Sequence, residues 1–599
     1  MKVNPAYLMT QEEGIAWHAF KAALGPIYPG YESFDKFMHW MREQLEHYGC
    51  RDTREHHWIH ESYRVNDWPD HESGALKLSI EGEEIPVGTF LMLSQSTGEE
   101  GLTAPLVYYD IHKGMPEEGA FSGKIVVMEE PEMPEPPYDE RFLESYVVTD
   151  TNYRSDPEPP AEMFMPADPE ISNSWNTRWS FASWSSVIMP LAMKGQAAGL
   201  LVISRLTYGA LRGLYDRQHV RPMPSLVLDR VNGLRVKDAA IAGKTAHMTL
   251  ISRFFPADAW NFVTFLPGRD YGTDQDRFIT INVHTDAMSL TQDNGALGAL
   301  GIARYFSHIP QEERGKSLLF CIDSRHFIEG FEGGNIEHDP YRVWPELVPK
   351  VTVTLGLEHM GEMEGAEDYA HNTMVPTGRP EFSFMKADDN DYCVRILTEA
   401  AVDSGLERAD IKIDGRPGVH GAYKGLVRAI QASCHKLDVC VIGEAGNWCG
   451  AHTQTFSGMQ YFGPKKFRDE VHTWTQVVLN MMYTDAIVYD ICWSKLNTAV
   501  KNAVTDGRIS PAAGEGLLQL IAGIFREVEE GEYEKAYRRL EREAGPIIRA
   551  IPAKSVEPAS SDQAEQETVR QRIFGKMQMN PDEAYKEVLA RVLAHNKSE

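Results

Sequence analysis

The feature that most constrains this chain is a short run near its middle. Residues 279–286 read Ile-Thr-Ile-Asn-Val-His-Thr-Asp, and 291–300 read Thr-Gln-Asp-Asn-Gly-Ala-Leu-Gly-Ala-Leu. Alternating residues rich in Ile, Val and Thr mark 279–284 as a buried strand, and the run ends on His284 and Asp286, two residues apart. Asp293 and Asn294 follow a short loop, and Ala296, Leu297, Ala299, Leu300 and Ala303 continue as a helix. Strand, carboxylate-bearing loop and helix in that order put polar groups beyond the carboxyl end of a strand, where open α/β sheets bind ligands. Taken alone, the segment also fits a satisfied core histidine beside a helix-capping Asp.

The 599 residues exceed what one core sustains, and ordinary domain sizes imply about three to five units. Residues 1–75 read as an N-terminal helical segment belonging to the catalytic domain. Within it, Ser33 is placed to cap a helix over 33–48 whose Phe34, Phe37, Met38, Met41, Leu45 and Tyr48 share a face, and Gly49 ends it. His56, His57 and His60 have no acidic partner at zincin-like spacing and read as surface or substrate-facing histidines. Residues 76–250 form a β-rich unit of short strands at 106–109, 124–128, 200–203 and 225–228, bounded by Gly, Pro or Asp. The Pro- and Glu-dense stretch 129–169 holds no regular element for long and reads as an exposed loop.

Across 251–490 strands alternate with helices at 279–284, 296–307, 317–323, 351–357, 390–403, 437–443 and 465–484. This is the pattern of an α/β unit with a mainly parallel sheet covered by helices. Residues 491–599 are a C-terminal helical region: Leu517, Leu520, Ile521, Ile524 and Val528 form one stripe, then Tyr533, Tyr537 and Leu540, then Ala584, Val588 and Val592, with a polar linker from Pro552 to Glu567.

A net charge of −28 argues against nucleic acid as a partner, since phosphate neutralisation needs a clustered basic surface. No apolar run is long enough to span a bilayer, and the first twenty residues show no basic segment followed by an apolar run. Seven cysteines without paired short spacing fit a reducing cytoplasm.

Further strand ends carry imidazoles and carboxylates. The run 316–323 ends at Ser324-Arg325-His326, and 351–357 ends at Glu358-His359. Gly418-Val419-His420-Gly421 and Cys449-Gly450-Ala451-His452-Thr453 come later. Neutral imidazole nitrogen and carboxylate oxygen are the donors that zinc or a similar divalent ion takes, and the ion's charge lets a bound water ionise near neutral pH.

With these motifs in place, the chain over roughly residues 30–490 resembles the zinc-dependent aminopeptidase and carboxypeptidase family that includes glutamate carboxypeptidase II and the transferrin receptor. In that family a protease-associated domain is inserted ahead of the catalytic metal domain. The insert is matched by Ala104-Pro105-Leu106-Val107-Tyr108, by Phe121 to Val127, by Ala192 to Val202 and by Pro224 to Leu228, and Trp260 to Gly268 is similar to the strand that opens the catalytic domain. The resemblance implies His284 as the first metal ligand, Asp286 as the group orienting its imidazole, Asp293 as a bridging carboxylate, Glu358 as a ligand where the family has Asp, and His452 as the final ligand. It sets His420 near the substrate.

One departure stands out. Where the family carries two consecutive glutamates, a general base and a second-metal ligand, this chain reads Ser324-Arg325-His326-Phe327-Ile328-Glu329-Gly330-Phe331-Glu332. An ungapped match gives His326 the base position and Phe327 the ligand position; a one-residue slip gives His326 the ligand position and Arg325 the base position, where a permanently protonated guanidinium cannot act as base. A neutral His326 suits general-base work, and Glu329 or Glu332 is an alternative.

The leading expectation is a metallohydrolase of an amide or peptide-like bond. It would use one or two divalent ions, zinc foremost with manganese or iron as alternatives, on a small-molecule or short-peptide substrate. The alternatives are a lyase, isomerase or deaminase on the same scaffold with Arg325 anchoring an anionic group, and a binding protein without catalysis. By position the helical tail is similar to the family's dimerisation region, which implies a homodimer. On this reading His284→Ala abolishes metal binding, whereas His326→Ala keeps the first metal and loses turnover. Metal analysis beside an activity assay separates the two, and stoichiometric metal in His284→Ala would refute the ligand assignment.

Overall fold

Alternation in the strand that carries His284 decides how the sheet is buried. In a computed structural model the chain is described over residues 2–65, 74–131, 146–148, 183–214, 223–286, 294–325, 338–380, 383–387, 391–407, 409–413, 440–444, 458–483, 497, 500–530, 539 and 543. Helices α1 (Gln11–Leu24) and α2 (Glu32–His47) lead into the long strand β1 (Arg51–Val65). There follow β2 (Leu76–Ile80), β3 (Glu83–Ile85), β4 (Thr89–Phe90), β5 (Leu102–Tyr108), β6 (Ile125–Glu129), β7 (Tyr146–Val148), β8 (Gly199–Ile203), β9 (Ser225–Leu228), α3 (Arg230–Ile241) and β10 (Thr245–Leu250). The chain returns through β11 (Ser252–Leu266), β12 (Phe278–His284), α4 (Gly295–Ser307), β13 (Ser317–Asp323) and β14 (Val351–Gly356). It continues with β15 (Met363–Asp368), β16 (Thr373–Pro380), β17 (Ser383–Ala387), α5 (Asp391–Ser404), β18 (Ala409–Ile413), β19 (Cys440–Glu444), α6 (Pro464–Tyr483) and α7 (Pro511–Glu529).

The larger sheet runs β1-β11-β13-β12-β14-β19-β17-β18-β7. Its centre is parallel, β13 with β12, β12 with β14 and β14 with β19. Antiparallel pairs close both sides, β1 with β11 and β11 with β13 at one, β17 with β19 and β18 with β7 at the other. The sheet is therefore mixed, and parallel pairing recurs between β17 and β18, whose chain passes through α5. Along β12, Ile279, Ile281 and Val283 join a core with α1, α2, α4, α5 and α6, while Phe278 belongs to a second apolar cluster with Tyr341 and Leu347. Alternation sends Thr280, Asn282 and His284 to the same side as Phe278.

The second sheet, order β3-β2-β10-β5-β6-β8-β9-β4, lies wholly between residues 76 and 250. Strands β5, β6, β8 and β9 are parallel. One face packs on Val236, Ala239 and Ala240 of α3, the other on Trp184, Ile188 and Leu191. Its two ends join the larger sheet through β1 and β11, which pair antiparallel from Arg54↔Val263 to Val65↔Ser252.

Some local expectations change. Ser33 lies inside α2 rather than at its cap: Tyr31 is the N-cap residue, and the Ser33 hydroxyl donates to the Pro26 carbonyl. The apolar face of α2 is buried as its spacing implies, and Gly49 follows the helix with a φ of 90°. His60 is buried, not on the surface, because β1 turns it inward. Leu517, Ile521 and Ile524 bury one side of α7. The stripes expected at 533–540 and 584–592 and the Pro552–Glu567 linker lie outside the described residues apart from isolated positions. Among the described residues no helix is long and apolar enough to cross a membrane.

Gly295 opens α4 directly against the end of β14, and a β-carbon there would lie 1.8 Å from the Leu357 carbonyl oxygen. Gly295→Ala is therefore expected to cost about 1–3 kcal/mol or more in urea unfolding. Gly516→Ala, where a β-carbon on the exposed side of α7 meets nothing within 4 Å, is expected to stabilise by about 0.5–1 kcal/mol. An unchanged midpoint for Gly295→Ala would mean the helix start is free to shift.

Candidate metal centre

Parallel pairing brings two of the expected residues to one place. His284 ends β12, and Leu357 just past β14 donates its N–H to the Asn282 carbonyl, which sets Glu358 beside the β12 terminus. His284 Nε2 lies 2.9 Å from Glu358 Oε1. Its Nδ1 donates to the Asp286 backbone carbonyl at 3.2 Å, and the Asp286 carboxylate is farther, at 3.7 Å. Asp286 thus meets the imidazole chiefly through its main chain.

His284 is 2% exposed, and both of its ring nitrogens face oxygen acceptors. A neutral imidazole has one N–H and satisfies only one of them. The other nitrogen requires a positive charge between it and Glu358, either a proton or a cation. An imidazole with one nitrogen held by an acceptor and the other facing a carboxylate offers donors that would suit a divalent ion. Burial alone would raise the Glu358 carboxyl, but the imidazoles of His359 and His284 outweigh it and hold the group well below the usual carboxylate range.

The Glu358 loop is tightly held. Asn294, the N-cap residue of α4, makes no cap bond with its side chain. Its Oδ1 accepts from Met360 N at 2.8 Å, and its Nδ2 donates to the Met360 carbonyl at 2.5 Å and to His18 Nε2 at 2.9 Å. His18 Nδ1 in turn donates to the Gly14 carbonyl at 2.8 Å. Burial pushes this imidazole down to about 3, so it stays neutral and can accept from Asn294. Next along the loop, Gly361 N donates to Glu470 Oε2 at 2.5 Å, and Glu470 also pairs with Lys466 and accepts from Ser383. Between these anchors His359 is forced to a φ of 56°, a left-handed conformation that costs a residue with a β-carbon about 1–3 kcal/mol.

Arg325 has an environment the sequence did not disclose. It is 3% exposed, and Nε and Nη2 take the two oxygens of Asp323 at 2.9 and 2.6 Å. Nη2 also reaches Asp339 at 3.3 Å. Burial raises the Asp339 carboxyl despite the neighbouring guanidinium. Asp339 also accepts from Tyr341 N, and Tyr341 donates its hydroxyl to Asn282 Oδ1 at 2.6 Å, one turn of the pleat below His284. The guanidinium is thus engaged through Nε and Nη2 by two carboxylates.

Asp293, His326, Glu329, Glu332, His420 and His452 lie outside the described residues. Among the described residues no three His, Cys, Asp or Glu side chains form a closed metal site. His18 and Asp339 were not named from sequence, and Asn294 was read there only as following the loop with Asp293. The Glu358-His359 adjacency at a strand end was visible there, whereas the others act through contacts between segments far apart in the chain.

No protein-family model matches the chain, and no curated protein matches its sequence. Solved structures do match. A peptidase M28 precursor from Shewanella amazonensis has a TM-score of 0.50 at 13% identity, covering 78% of this chain and 93% of that one. A zinc aminopeptidase from Bacillus subtilis has 0.49 at 11%, covering 80% and 98%. An aminopeptidase from Aneurinibacillus sp. strain AM-1 has 0.44 at 13%, covering 77% and 92%. At these identities the likeness is one of fold, and the chain has the α/β zinc-exopeptidase-like fold.

The neutral His18 makes a pH-dependent contribution. With its folded pKa depressed from 6.5 to about 3, the stabilisation is complete above pH 6.5 and drains away as acid protonates the unfolded chain, down to about pH 3. His60, depressed to about 4 by burial, adds in the same direction. Urea midpoints are expected to fall between pH 6.5 and 4, with a shallower slope in His18→Gln; an identical slope would place the lost protons elsewhere.

Proposed function

We propose that the chain is a metal-dependent hydrolase of an amide or peptide-like bond, acting on a short peptide or small molecule. The observation that carries this reading is buried His284, both nitrogens facing acceptors, with Glu358 at the end of the neighbouring parallel strand. Imidazole and carboxylate at adjacent strand ends are donors suited to zinc. Asp293 and His452 would complete the ligands as the resemblance implies.

A divalent ion held by His284 and Glu358 would supply Lewis acidity, polarising a carbonyl and lowering the pKa of water. The chain's own residues do the rest. The Asp286 carbonyl keeps the proton on His284 Nδ1, leaving Nε2 to bind. The Asn294 and Glu470 anchors hold the loop that aims Glu358. In this reading His326, standing where the family has its glutamate pair, accepts the proton from water, with Glu329 or Glu332 as the alternative base. On the same reading the sheet spanning 76–250 is the protease-associated insert that the resemblance implies. The rival reading, a lyase, isomerase or deaminase, relied on Arg325 as an anion anchor, and the Asp323 and Asp339 contacts weigh against it.

Metal-stripped protein titrated with zinc against a chelating dye, then assayed on aminoacyl amides, tests the proposal. Stoichiometric zinc and zinc-dependent amide cleavage are expected, with both lost in Glu358→Ala. Zinc uptake without cleavage of any aminoacyl amide would shift the function to the rival chemistry, and no uptake would remove the metal centre altogether.

A further inference from the structure

We propose that His359 is a positioning residue of this centre, holding the Glu358 carboxylate from one side while His284 meets it from the other. The assignment rests on the cation-binding reading of His284 and Glu358. In an extended strand, neighbours such as Glu358 and His359 point to opposite faces. Here the left-handed turn at His359, φ 56°, folds its side chain back onto its predecessor, and Nε2 stands 3.0 Å from Glu358 Oε1. That oxygen is the one 2.9 Å from His284 Nε2. His359 is 7% exposed, so the contact is sheltered from water.

The backbone that makes this possible is imposed from both sides. Leu357 N is tied to β12 and Met360 is clamped at N–H and carbonyl by Asn294. Gly361 is tied to Glu470 and, through its carbonyl, to Gly463 N at 2.7 Å. A residue with a β-carbon is thus kept in a costly conformation whose visible result is a second imidazole beside the Glu358 oxygen. Positive φ also occurs at Asp52, Glu81, Leu93, Gln196 and Asn372, so what sets His359 apart is its contact with the Glu358 oxygen.

The test compares wild-type chain with His359→Asn, which tolerates the left-handed backbone but is too short to reach Oε1, and with His359→Gln, whose amide nitrogen can still approach that oxygen. Zinc affinity by competition with a chelating dye, the absorption spectrum of the cobalt-substituted protein and the thermal midpoint of the metal-free protein are read together. Zinc affinity is expected to fall ten- to a hundredfold in His359→Asn, the usual effect of losing a group that supports a ligand. The cobalt bands should change, the metal-free midpoint should hold or rise, and His359→Gln should recover most of the affinity. Wild-type affinity and spectrum in His359→Asn would overturn the assignment while leaving the metal centre standing. A metal-free midpoint falling in step with affinity would reduce His359 to a structural residue, and a wild-type chain that takes up no zinc would end both readings.

Discussion

The carbonyl of Leu357 and the α-carbon of Gly295 are too close for any side chain to come between them, and the site is built around that approach. It joins the end of a central strand to the first turn of the helix that crosses over from the strand beside it. With the two backbones in contact, the Asn294 side chain is in range to bond both polar groups of Met360, so the helix start and the Glu358 loop move as one body. Such bonds are worth about 1 kcal/mol each when intact and more than that when one partner is left buried and unbonded. Their larger effect is geometric: they leave Glu358 few ways to turn.

What could be read beforehand follows from periodicity. Ile279, Ile281 and Val283 against Thr280, Asn282 and His284 is a pattern of period two that identifies a strand, and Ala296 to Ala303 has the period of a helix pressed on it. The same signal gives α4, β13, β14, α5, β19 and α6, but β15, β16, β17 and β18 between them went unnamed. Contacts closed by the tertiary fold are silent in it. His18 lies 276 residues from Asn294, and nothing in the helix that carries it distinguishes it from any other polar residue on an apolar face. Asp339 is equally anonymous, since its role depends on Arg325 being buried at the far end of another strand. Ser33 was misplaced for a simpler reason: a hydroxyl two residues past the true N-cap, Tyr31, fits nearly the same spacing, and its partner, Pro26, lies outside the helix.

Electrostatics at the strand ends is divided between two neighbouring groups. At the end of β13 a guanidinium sits with two carboxylates, and at the ends of β12 and β14 imidazoles sit with one. Buried charge of this kind is tolerated only when paired, so neither group can lose a member without leaving a costly remnant. Asp323 and His284 face each other in register across the two strands, which places the pairs side by side while each keeps its own partners. A cation at His284 would therefore arrive beside an already compensated arginine, and the two positive charges need not compete for the same carboxylates.

The pairing of β1 with β11 has a consequence for how the chain is made. About 190 residues, including the whole second sheet, are synthesised after β1 and before its partner exists, and closing so long a loop adds only a slowly growing entropic cost. At ordinary translation rates a nascent β1 waits roughly ten to forty seconds as an unmatched edge. Arg54, Glu55, Glu61 and Arg64 along it are charges that discourage a stray strand from docking meanwhile. The second sheet can complete its own core during that interval, and its finished β10 then delivers β11 to the waiting edge with a single residue, Ile251, between them.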